Sequence, residues 1–100
     1  MSRAHMLLVE DDAALAELVT WHFRKEDFEV SHTPDGEEAL IMAQERVPDI
    51  VLLDMMMPGT LDGLEVCCRI KTSYNLRHTL VVLLTARDSV IDKVSGLDSG

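Results

Sequence analysis

The sequence predicts an α/β fold, a doubly wound parallel sheet, and three observations predict it. Three short runs are wholly apolar, Met6–Val9, Ile50–Leu53 and Leu80–Leu84, the pattern of strands buried on both faces. Between them lie stretches with apolar residues at helical spacing, long enough to carry the chain to a parallel neighbour by a right-handed crossover. Each run also ends on an oxygen-bearing side chain, since Glu10, Asp54 and Thr85 follow directly.

The elements follow in order. Met6–Val9 is the first strand and stops at Glu10-Asp11-Asp12. Asp11 or Asp12 caps a first helix whose stripe is Leu15, Leu18, Val19 and Trp21 to Phe23, so Trp21 is expected to pack. Phe28 to His32 alternates as a second strand, and Thr33-Pro34-Asp35-Gly36 turns the chain. Glu37 to Arg46 is a second helix with Ala39, Leu40 and Ala43 inward, and Pro48 prevents its continuation. Ile50–Leu53 is the third strand and ends at Asp54. A loop from Met55 to Gly63 precedes a third helix from about Leu64 to Lys71, with Cys67 inward and Cys68 outward. Leu80–Leu84 is the fourth strand, and a fourth helix begins near Ser89. The alternation implies the flavodoxin-like strand order 2-1-3-4.

One hundred residues make one domain. The net charge of −9, from 18 acids against 9 bases, argues against direct nucleic acid binding or attachment to an anionic membrane. No apolar run approaches the roughly 18 residues of a membrane span. Cys67 and Cys68 are adjacent, without CxxC spacing, and are expected as reduced thiols in a cytoplasmic protein. His5, His22, His32 and His78 lack metal-binding spacing and are expected at the surface or flanking strands.

Ligands of such sheets bind beyond the carboxyl ends of the strands, where the strand order reverses. The first strand delivers Glu10, Asp11 and Asp12 there, its neighbour the third delivers Asp54, and the fourth delivers Thr85. Each alone is an ordinary cap or strand end. Together they form an acidic pocket with a hydroxyl at its rim. Crowded carboxylates drift towards protonation unless a cation joins them. Hard oxygen donors without His or Cys suit Mg²⁺, which commonly bridges carboxylates to phosphate. A carboxylate beside that ion can attack phosphorus.

The sequence at this point resembles the receiver domains of two-component response regulators. The resemblance rests on Leu7-Leu8-Val9-Glu10-Asp11-Asp12, on Pro48 to Gly59 around Asp54, and on Leu83-Leu84-Thr85-Ala86-Arg87, with support from Asp35 to Leu40 and Gly96 to Gly100. It implies that Asp54 is the phosphoacceptor, that Asp11 binds Mg²⁺ directly, that Glu10 reaches it through water, and that the backbone carbonyl of Met56 is a further ligand. It makes Thr85 the switch hydroxyl and Ala86 the small residue beside the phosphate. Within the family, the Glu10-Asp11 pair and the first helix are similar to the phosphate-regulon type, and the fold to chemotaxis regulators. The loop from Pro58 to Gly63 is one residue longer than the common pattern.

The family continues into a fifth strand, ending in a Lys-Pro pair, and a fifth helix. The sequence stops at Gly100, so the expectation is a receiver truncated before both, with no counterpart of the catalytic lysine; Lys25, Lys71 and Lys93 all fall in or beside helices. Leu80–Leu84 then becomes an apolar sheet edge that invites pairing with a second copy. Exposing two large side chains where the helix would lie forfeits about 3–6 kcal/mol, a sizeable share of the roughly 5–15 kcal/mol that stabilises a domain.

The implied function is a phosphorylatable signalling switch, served by a histidine kinase or phosphotransfer protein and read at the fourth helix and fourth strand, not a turnover enzyme. The alternative is a non-switching interaction fragment that binds a kinase or another receiver. A phosphatase acting on outside substrates is disfavoured, because Met55 and Met56 follow Asp54 where an aspartate-nucleophile hydrolase needs Asp-x-Asp.

Overall fold

The computed structural model describes residues 3–54 and 63–84. In chain order these form β1 (His5–Val9), α1 (Ala13–Lys25), β2 (Glu29–Thr33), α2 (Gly36–Glu45), β3 (Ile50–Asp54), α3 (Gly63–Thr72), a 3-10 turn (Tyr74–Leu76) and β4 (Leu80–Leu84). The strands make one parallel sheet in the order β2-β1-β3-β4, as the sequence predicts. Val9 lies opposite both Thr33 and Leu53, so β1 and β3 end level with each other at the centre of the sheet.

Side-chain alternation divides the core between the two faces. Leu7, Val9, Val51, Leu53, Val81 and Leu83 point to the side covered by α2 and α3, where Ala39, Ala43, Val66, Cys67, Ile70 and Leu76 complete a buried cluster. Met6, Leu8, Val30 and Leu52 point to the other side and pack with Ala16, Val19 and Phe23 of α1. Met6–Val9 of β1 and Ile50–Leu53 of β3 are therefore apolar throughout, which is why they appear in the sequence as continuous runs. In β4, Val81 and Leu83 are buried while Leu80 is exposed and Val82 and Leu84 are half-buried. Among the described residues, the fourth strand is thus covered well on one face only.

The helix ends are set by local chemistry. The Asp12 carboxylate accepts from the Leu15 N–H at 3.1 Å, and the Asp35 carboxylate accepts from the Glu38 N–H at 2.9 Å; both Asp residues are extended N-caps. Helix α1 stops where Asp27 takes a left-handed conformation, φ 70°. The Asp27 N–H then bonds the Arg24 carbonyl and the Phe28 N–H bonds the Phe23 carbonyl, the two bonds of a Schellman motif. The Phe23 and Phe28 rings meet edge to face at 5.5 Å, giving the motif its apolar contact.

At the opposite end of the sheet, Asp49 ties three strands together. Its carboxylate accepts from the His5 N–H at 2.7 Å, its N–H donates to the His5 carbonyl, and its carbonyl accepts from the Leu80 N–H. Beside it the buried Thr79 hydroxyl donates to the Pro48 carbonyl at 2.9 Å.

Two sequence expectations are corrected. Trp21 is 58% exposed and its ring lies under the Lys25 ammonium at 4.4 Å, because apolar residues surround α1 and only Ala16, Val19 and Phe23 fit the sheet-facing side. Leu15 and Leu18 are exposed for the same reason. His5, expected at the surface or flanking a strand, adjoins Met6–Val9 as the first residue of β1 and is buried there, with Nε2 2.8 Å from the Ser31 hydroxyl. Cys67 is buried and Cys68 exposed, as expected. The fourth helix near Ser89 and the lengthened loop from Pro58 to Gly63 fall outside the described residues, apart from Gly63, which opens α3.

Candidate metal centre

The level ends of β1 and β3 bring the acidic residues together. Glu10, Asp11 and Asp54 each offer a carboxylate oxygen, and these oxygens lie within 4.8 Å of one another. Glu10 is buried, Asp54 half-buried and Asp11 exposed, so the cluster opens to solvent over Asp11.

Backbone bonds hold the turn that carries Glu10 and Asp11. The Glu10 N–H donates to the Thr33 carbonyl at 3.1 Å, extending the β1–β2 ladder by one residue. The Glu10 carboxylate accepts from the Asp12 N–H at 3.1 Å. On the far side of the turn, Asp12 caps α1. Glu10 is thus fixed from β2 and from the helix that follows it.

Crowding shows in its acidity. The Glu10 carboxyl is pushed up to about 7, first by burial, then by its hydrogen bond to Asp54 and the negative charges of Asp54 and Asp11; only the Asp12 N–H works against this. A group in that position holds a proton near neutrality unless positive charge replaces it. Three hard oxygen donors with no nitrogen or sulfur among them fit Mg²⁺, which favours carboxylates and retained water. The residues present therefore fit the ion that the sequence implied.

Of the predicted site residues, Glu10, Asp11 and Asp54 converge. Met56, Thr85 and Ala86 lie outside the described residues. Sequence reasoning missed His32, whose Nε2 lies 2.8 Å from the Glu10 carbonyl oxygen. It is a side-chain bond to backbone across two strands, and no periodicity announces it.

The family model for the response regulator receiver domain matches residues 6–100, and the chain belongs to that family. Solved receivers superpose on it closely. Chemotaxis protein CheY4 of Vibrio cholerae is similar at 27% identity and TM-score 0.85, over 99% of this chain and 82% of that one. The receiver domain of Francisella response regulator 1452 is 32% identical with TM-score 0.79, over 97% and 78%. The BeF3-activated N-terminal receiver domain of Klebsiella pneumoniae RstA is 32% identical with TM-score 0.79, over 94% and 77%. Among the described residues, no helix is long and apolar enough to cross a membrane.

Proposed function

We propose that this receiver is a phosphoacceptor of a two-component relay, with Asp54 taking the phosphoryl group and Mg²⁺ held by Glu10, Asp11, Asp54 and the backbone carbonyl of Met56. The observation that carries the reading is the meeting of three carboxylates from two adjacent strand ends within 4.8 Å. A histidine kinase or a phosphotransfer protein is the donor; one related structure is itself the signal receiver domain of a histidine kinase from Syntrophus aciditrophicus. The compartment that fits such a donor is the cytoplasm.

In the transfer, an oxygen of the Asp54 carboxylate forms a bond to phosphorus as the phosphorus–nitrogen bond of the donor phosphohistidine breaks. The imidazole leaves with the electron pair and takes up a proton. When bound, Mg²⁺ supplies positive charge to the phosphoryl oxygens, the main requirement of such a transfer. With the ion bound, Glu10 would be held as the carboxylate, and the exposed Asp11 would keep its side of the cluster open to water. Thr85 and Ala86 complete the phosphate contacts, and the phosphorylated state is read at the fourth helix and fourth strand. The group is accepted once per molecule and lost by slow hydrolysis, so the chain is a signalling acceptor rather than a turnover enzyme.

Titration with beryllofluoride, a phosphoryl mimic, in the presence of Mg²⁺ tests this by amide NMR. Saturable shifts at residues 10–12 and 54 that vanish in Asp54→Asn are expected. No binding at millimolar Mg²⁺ overturns the switch and favours a non-switching fragment that occupies a kinase or another receiver. Self-association along Leu80–Leu84 is the accompanying proposal, because β4 pairs on one side only among the described residues. Sedimentation velocity at micromolar concentration is expected to show a dimer, and a strict monomer removes it.

A further inference from the structure

We propose that His32 is a positioning residue for the metal centre, a role that rests on the Mg²⁺ reading above and extends it to a residue outside the carboxylate cluster. Its Nε2 lies 2.8 Å from the Glu10 carbonyl oxygen. A carbonyl only accepts, so the ring must present Nε2–H there and its tautomer is assigned by the bond. The acceptor belongs to the peptide unit joining Glu10 to Asp11, the two consecutive acids of the cluster. Fixing that peptide plane fixes the angle at which the chain leaves β1 and enters the acidic turn.

The bond completes a set. The Glu10 N–H is already tied to the Thr33 carbonyl, and the Glu10 carboxylate to the Asp12 N–H. Among the described residues, the 10–11 peptide is otherwise held only from its two ends. His32 lies opposite Leu8 in the β1–β2 register, two residues short of Glu10, and its ring spans that gap. Like a partner that orients a metal ligand from behind, it contributes no donor atom to the ion and acts on the ligand's geometry.

Its surroundings suit the role. The ring is exposed and lines an open groove between α1 and β2 with Ala13, Ala16, Thr20 and Trp21. It fills no core space, so its replacement leaves both hydrophobic clusters intact.

The test is Mg²⁺ affinity at pH 8, read from amide shifts of residues 10–12 in the wild type, His32→Ala and His32→Gln, with Asp11→Asn as the reference for a lost ligand. Wild-type saturation establishes the metal site itself; its absence sinks the proposed function, not this inference alone. With binding in the wild type, His32→Ala is expected to weaken it about tenfold, the lower end of what outer contacts to metal ligands contribute. His32→Gln keeps an N–H donor of similar reach and is expected to recover most of the loss. Ring ¹⁵N shifts of His32 should report the Nε2–H tautomer. Equal affinity in wild type and His32→Ala, or an Nδ1–H tautomer, overturns the assignment. Equal weakening in the Gln and Ala variants also overturns it, since a purely steric role would not distinguish a donor from a methyl.

Discussion

Replacing Glu10 by Gln should stabilise the metal-free protein, although it removes a residue of the metal centre. The Glu10 carboxyl is raised from 4.5 to about 7 by burial and by its acidic neighbours. Below the unfolded value both states carry the proton and nothing is lost. Between 4.5 and 7 the folded state binds more protons than the unfolded one, so stability declines as pH rises. Above 7 the full cost of the ionised carboxylate is present. The rise from 4.5 to about 7 corresponds to roughly 3 kcal/mol, and the open side over Asp11 reduces this to about 2 kcal/mol. Glutamine has the same shape and no charge. Urea unfolding in EDTA should therefore show Glu10→Gln more stable than wild type by about that amount at pH 8, with the difference closing near pH 4.5. Millimolar Mg²⁺ should narrow or reverse the difference at pH 8, because the wild type offers the ion one carboxylate more than Glu10→Gln does. Equal stabilities of the two proteins at pH 8 in EDTA would refute the reasoning, since Glu10 would then carry no trapped charge.

Two further outcomes follow from the core and the far end of the sheet. Leu76 is fully buried in the 3-10 turn against α2 and α3, so Leu76→Ala should cost about 2–5 kcal/mol, enough to bring a small domain close to its unfolding limit; a loss below about 1 kcal/mol in urea titration would show that the turn does not anchor this face. His5 is held below its ordinary 6.5, first by burial and then by the Arg46 guanidinium, against the opposing carboxylates of Glu29 and Asp49. The unfolded chain then takes up a proton that the folded chain resists, so this contribution is present above 6.5 and is lost as pH falls below it. In a Glu10→Gln background, which removes the opposite slope, the wild-type His5 protein should lose more stability between pH 7.5 and 5 than His5→Phe does; parallel pH profiles would exclude His5 as the cause.

The centre of the sheet was legible because β1 and most of β3 are buried on both faces. Continuous runs such as Leu7-Leu8-Val9 and Val51-Leu52-Leu53 have no other economical placement, and their end residues carried the acidic cluster with them. Helix α1 was legible as a helix but not in its orientation. Leu15, Leu18 and Trp21 compete with Val19 and Phe23 for the inward side, and only tertiary packing decides between them. The turn at Tyr74–Leu76 is too short to impose a period. The burial of His5 was not legible because it sits at the strand boundary, where one residue separates surface from core. His32 was invisible for a different reason: its partner is a main-chain oxygen 22 positions away, which depends on strand register rather than on the residue types nearby.

Asp49 gives the sheet two unlike ends. Sliding β1 or β4 past β3 by one residue would break its bonds to His5 and Leu80 and turn every inward side chain of the moved strand outward. The base of the sheet is thereby clamped in register.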